Sequence, residues 1–82
     1  MALEDKILFG QVLITVLDEQ TQKLDDPWAD DLPEFIKRAV IVKFRMLNFC
    51  NSHDRPPAIL EQIEQMDGII KRLMDLQNKK CY

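Results

Sequence analysis

Three long stretches of recurring apolar positions, separated by two short polar breaks, organise the chain. From Leu3 to Leu24, the residues Leu3, Ile7, Ile14, Leu17 and Leu24 follow steps of four and three, with Gly10 and Thr21 at the seam positions between them. Such steps return side chains to one face of a helix with 3.6 residues per turn. Leu8, Phe9, Val12, Leu13 and Val16 widen the seam, so that between residues 7 and 17 only Gly10, Gln11 and Thr15 are not apolar. A helix apolar around most of its circumference needs cover on more than one side. The β-branched Ile7, Val12, Ile14, Thr15 and Val16 also suit a buried strand. The length of the stretch and its polar continuation over residues 18–23 select a first helix over about 3–24.

Residues 25–33, Asp-Asp-Pro-Trp-Ala-Asp-Asp-Leu-Pro, interrupt the pattern. Asp31 stands three residues before Glu34, with Pro33 inside the first turn, which predicts a capping box opening a second helix over about 32–52. Acids there also meet the positive end of the helix dipole. Along this helix Phe35, Ile36, Ala39, Val40, Val42, Phe44, Met46, Leu47, Phe49 and Cys50 spread over roughly 220° of arc. Lys37, Arg38, Arg45, Asn48 and Ser52 share the remaining arc with Ile41. Lys43 falls inside the apolar arc, where a lysine either snorkels or meets a carboxylate from another element.

The stretch from Asn51 to Pro57 is the second break, with tandem prolines suited to a first helical turn and Asp54 or Ser52 available to cap it. A third helix over about 57–78 carries the seam Ile59, Ile63, Met66, Ile70 and Leu73, flanked by Leu60, Ile69 and Leu76. Asp67 with Lys71 and Asp75 with Lys79 form acid-before-base pairs at i,i+4 spacing. Gly68 weakens this helix by roughly 1 kcal/mol relative to alanine and leaves room for another helix to approach.

Three helices with short connections predict an all-α domain over residues 1–82, an up-down-up three-helix bundle or a helical hairpin plus a third helix. Helices one and two carry more apolar surface than three helices can hide. The fold is therefore expected to be completed by dimerisation through one of them.

Composition bounds this picture. Eighty-two residues with 46% hydrophobic and 30% charged content describe one globular domain with a thin stability margin. No apolar stretch approaches the roughly 18 residues that span a bilayer, and the charged start lacks the features of a signal peptide. The expectation is a soluble, cytoplasmic protein with no membrane partner. The net charge of −3 hides a division: residues 1–34 hold nine acids against two lysines, or −7, and residues 35–55 hold five bases against one acid, or +4. An acidic total argues against a dedicated DNA-backbone binder. Two cysteines, Cys50 and Cys81, do not make a disulfide framework and read as reduced thiols.

Catalytic equipment is sparse. One histidine and two glycines leave no phosphate-cradling loop, no Gly-x-Ser-x-Gly turn and no His-Glu-x-x-His pair. His53 beside Asp54 is a weak dyad, and Cys50-x-x-His53 is half of a zinc site that needs four ligands. No enzyme activity, cofactor or metal is expected. Trp28, the lone tryptophan, sits among aspartates. The commoner outcome for such a residue is to fold back over its own core, and the alternative is an acidic docking loop.

Together these features point to a non-enzymatic protein–protein interaction module, a small adaptor, chaperone-like subunit or inhibitor, acting through apolar helix faces. Its expected contacts are Phe9, Leu13, Trp28, Ile41 and Phe44, with another protein or a second copy as partner. The alternative is a helical nucleic-acid-associated regulator whose Lys37, Arg38, Arg45 and Arg55 touch phosphates.

Overall fold

The computed structural model describes residues 3–79, and these fold into α1 (Leu3–Gln22), α2 (Leu32–Ser52) and α3 (Pro57–Asn78), with no strand among them. The boundaries of α2 and α3 match the sequence expectation. In α1 the seam forms from Ile7 to Thr21: Gly10, Ile14, Leu17 and Thr21 are buried and Ile7 half-buried. Leu24 is half-buried just beyond the helix. Leu3, expected on the same seam, is exposed in the first turn, where α1 has no further turn before it to hold it down.

The third helix is the central element. Ile59, Gln62, Met66, Ile69, Leu73 and Leu76 are all buried and recur in steps of three and four, with Ile63 alongside. The seam thus runs through Gln62 and Ile69, whereas Ile70 is half-buried and Leu60 exposed. The shift arises because α3 serves two neighbours at once, so its buried arc is centred between them. From α2, Leu32, Ala39 and Met46 enter the core at seven-residue intervals, joined by Cys50. Leu32, Met66 and Leu73 are among the most completely enclosed side chains, each contributing roughly 1.5–3 kcal/mol through burial.

Polar contacts fix the directions. The Gln62 side-chain amide donates to the Ile7 carbonyl near the start of both helices, and Arg72 reaches Asp18 and Thr21 further along both, so α1 and α3 run parallel. Lys43 and Asp67 meet midway along α2 and α3, which a short turn joins as an antiparallel hairpin. The course is up, down, up. Both α1 and α2 lean on α3 more than on each other, and the cleft between them stays open on one side.

The helix ends depart from expectation in three places. First, α1 stops two residues early, because the Thr21 hydroxyl donates back to the Leu17 carbonyl (2.6 Å) and the Leu24 N–H closes a tighter turn on the Thr21 carbonyl (3.1 Å). Second, the Asp31–Glu34 capping box does not form. The Asp31 backbone is already helical (φ −79°, ψ −14°), its side chain accepts no cap bond, and Pro33 has no N–H to donate one. A β-turn supplies the entry instead: Asp26 accepts from the Ala29 N–H through its carbonyl and from the Trp28 N–H through its carboxylate, with Pro27 between.

Third, neither Asp54 nor Ser52 caps α3. The Ser52 hydroxyl donates to the Asn48 carbonyl, and α3 opens at Pro56 without a side-chain cap. Asp54 and Arg55 both adopt left-handed backbone (φ 59° and 53°), which returns the Arg55 N–H to the Cys50 carbonyl at 2.8 Å and closes the end of α2.

The molecule is long for its mass, with extents of 46 × 19 × 16 Å and a radius of gyration of 13.7 Å. A compact domain of this length has a radius near 11.7 Å. Its accessible surface of 5807 Å² exceeds by about 700 Å² the roughly 5,100 Å² that mass scaling gives.

Candidate interaction surface

The outward side of α1 follows from how its inward side is held. Gln62, only 3% exposed, sits beneath Gly10 and donates through Nε2 to the Ile7 carbonyl at 2.6 Å. A Cβ at position 10 would lie 2.5 Å from Gln62 Oε1, so only glycine lets the two helices approach this closely with that amide in place. Eleven residues on, buried Thr21 accepts from Arg72 Nη2 at 2.5 Å, while Arg72 Nη1 pairs with Asp18 at 3.1 Å. These two polar locks fix the rotation and register of α1 on α3. With the seam held inward, the widened apolar side must face out.

That side carries Leu8, Phe9, Val12 and Val16, which are 67, 56, 52 and 42% exposed. Leu8, Val12 and Val16 form one i±4 row, a ridge along the helix. Phe9 and half-buried Leu13 lead from the ridge into a groove of about 260 Å³, lined by Lys6, Phe9, Gly10 and Leu13 of α1 and by Val42, Arg45 and Met46 of α2. The Lys6 ammonium lies 5.5 Å from the Phe49 ring. His53 stacks on that ring (centroids 4.0 Å apart) and donates through Nδ1 to the Phe49 carbonyl at 2.9 Å. Among the described residues no carboxylate pairs with Lys6 or Arg45. The groove therefore has an apolar floor and cationic walls. Such a surface suits a helix with an apolar ridge and acidic flanks.

The five expected contact residues do not form one surface. Phe9 and Leu13 lie at the groove, and exposed Ile41 stands one turn from Arg45 at its outer rim. Phe44 is 58% exposed but sits two residues from Val42, about 160° around α2, and so faces away from the groove. Trp28 does not fold back over the core. The turn built on Asp26 and Pro27 holds it 65% exposed on the connection between α1 and α2. The ridge residues Leu8, Val12 and Val16 were absent from the expected contacts, although their steps of four, set against the four-three seam, were the signal.

Arg38 and Arg45 stand two turns apart on nearly one face of α2, but the basic residues have different settings. Arg38 lies 3.6 Å from Glu34 and over the Phe35 ring, Arg45 lines the groove, and Arg55 belongs to the left-handed turn after α2. Exposed Lys37 is about 100° around the helix from Arg38. Lys43 resolves to the ion-pair alternative, meeting Asp67 at 2.5 Å, so Asp67 serves another helix rather than Lys71. A Cβ at Gly68 would meet nothing within 4 Å, so the close helix approach occurs at Gly10 and not there.

Cys50 is a free, buried thiol, whereas His53, at the end of the same helix, is exposed with its Nδ1 on the Phe49 carbonyl, so the two side chains do not converge on one site. Cys81 lies outside the described residues. Among the described residues no cluster of three His, Cys, Asp or Glu is placed to hold a metal ion, and no helix is long and apolar enough to cross a membrane. A second depression, about 440 Å³, runs between the end of α1 and α3, with Thr21, Arg72, Lys71 and Asp75 among its lining. Neither family models, curated proteins nor solved structures give a match to this chain.

Proposed function

We propose that the protein is a non-enzymatic protein–protein interaction module, a small adaptor, chaperone-like subunit or inhibitor, that works by presenting the apolar face of α1. One observation carries this reading: Leu8, Phe9, Val12 and Val16 form a continuous uncovered ridge on a helix whose opposite side is locked to α3. Uncovered apolar side chains in such a row are costly to leave in water at roughly 25 cal/mol per Å², and association removes that cost. Completion by dimerisation and a cytoplasmic setting belong to the same proposal, the latter supported by the buried free thiol of Cys50.

The nucleic-acid alternative has less support, because Arg38 is engaged by Glu34, Arg45 lines the groove and Arg55 belongs to the left-handed turn after α2. A photo-crosslinking amino acid placed at Val12, compared with one at Glu64 on the exposed side of α3, tests the proposal in cells. Adducts are expected from position 12 and not from position 64. Equal labelling at both, or none at position 12, refutes it.

A further inference from the structure

We infer that the occupant of the α1 ridge is a second copy of this chain, whose own α1 crosses the first in antiparallel sense at Val12. The inference rests on the interaction reading above and adds which helix of the second copy is met and in what geometry. A two-fold interface must be self-complementary, because each surface meets itself reversed. The exposed row of α1 has that property: Asp5, Leu8, Val12, Val16 and Glu19 lie at −7, −4, 0, +4 and +7 from Val12. Turned end for end, the row superposes acid on acid, apolar on apolar, and Val12 on itself.

An i±4 ridge packs into the matching groove of a like helix at an interaxial angle near −50°. Val12 then meets its counterpart at the crossing point, and Leu8 of each copy packs against Val16 of the other. At this angle the helix axes lie about 9 Å apart sideways at seven residues from the crossing, so Asp5 and Glu19 diverge instead of facing each other. Their charges are directed over the flanks of the crossing, and there the groove offers Lys6 and Arg45, two of the cations that have no carboxylate partner among the described residues.

The area agrees with this occupant. The exposed parts of Leu8, Phe9, Val12 and Val16 come to roughly 370 Å², most of the apolar share of an 800 Å² half-interface. The groove wall and the Ile41 rim supply the remainder. An arbitrary partner would not require the ridge to be symmetric about one residue.

Sedimentation of the full chain from about 1 μM to 1 mM tests the inference. The mass is expected to rise toward twice the chain mass across that range, and Val12→Arg is expected to weaken association at least tenfold while leaving the helical circular dichroism unchanged. In a Cys81→Ser background, mild oxidation of Val12→Cys is expected to give a covalent dimer, whereas Gln11→Cys, about 100° away, forms no covalent crosslink. A monomer at 1 mM overturns the inference, as does equal crosslinking from positions 11 and 12. Capture at position 12 of proteins with other masses only also overturns it, but leaves the interaction reading standing. Absence of any adduct at position 12 removes both.

Discussion

Replacing Gly10 by alanine separates intrinsic helix preference from the packing that the fold imposes. In an isolated helix the change is favourable by about 1 kcal/mol. Here the new methyl group would stand 2.5 Å from Oε1 and 3.1 Å from Cδ of Gln62. That side chain is almost fully buried, and its Nε2 is committed to the Ile7 carbonyl. Moving it forfeits a hydrogen bond of about 1 kcal/mol and strands a desolvated amide at a further 1–3 kcal/mol. Gly10→Ala is therefore expected to destabilise the domain by about 1–3 kcal/mol, lowering the thermal midpoint by roughly 4–24 °C. Urea unfolding followed by far-ultraviolet circular dichroism measures the difference. In a Gln62→Ala background the obstacle is gone, so the same Gly10→Ala change is expected to stabilise by several tenths of a kcal/mol. The cycle then gives a coupling of about 2 kcal/mol. If Gly10→Ala stabilises the otherwise natural chain, Gln62 is not held against Gly10 and the register argument for α1 fails.

Three further outcomes follow from particular contacts. Arg55→Gly relieves a left-handed backbone position (φ 53°) and is expected to stabilise by about 0.5–1 kcal/mol in urea melts, whereas a valine at the same position destabilises. Arg72→Met removes the partner of Asp18 and Thr21; with both charged groups more than a third exposed, a loss of only about 1 kcal/mol is expected, and a loss above 3 kcal/mol would show that the lock is more deeply buried than it is here. Phe44→Ser lies on the side of α2 away from the groove, so it is expected to leave sedimentation behaviour unchanged while Phe9→Ser weakens self-association, and the reverse ranking would move the interface to α2.

The four-three spacing of Ile7, Gly10, Ile14, Leu17 and Thr21 was sufficient to place the α1 seam, because side chains at those steps share a face in any helix. Pro27, Pro33 and the Pro56–Pro57 pair punctuated the chain where the structure breaks it, since each lacks an N–H and fixes its own φ. Capping was less legible. Asp31 and Glu34 have the spacing of a capping box, yet the backbone conformation that would aim the Asp31 carboxylate depends on how Leu32 is drawn into the core. The candidate site was half legible for a related reason. Phe9 and Leu13 emerged as surplus apolar residues, but Phe44 emerged equally, and nothing local indicates which side of α2 another helix occupies.

The sequence by itself determined the three helices, the inward seam of α1 and the excess of apolar side chains around it, because these depend on helical periodicity and on the chemistry of neighbouring residues. Only the tertiary structure decided which excess residues stay uncovered. That outcome hangs on contacts between distant positions: Gly10 admitting Gln62, Arg72 reaching Asp18 and Thr21, and Lys43 finding Asp67. Each fixes the rotation or placement of one helix against another, a quantity absent from the one-dimensional pattern. Their joint result turns Leu8, Val12 and Val16 outward as a single ridge.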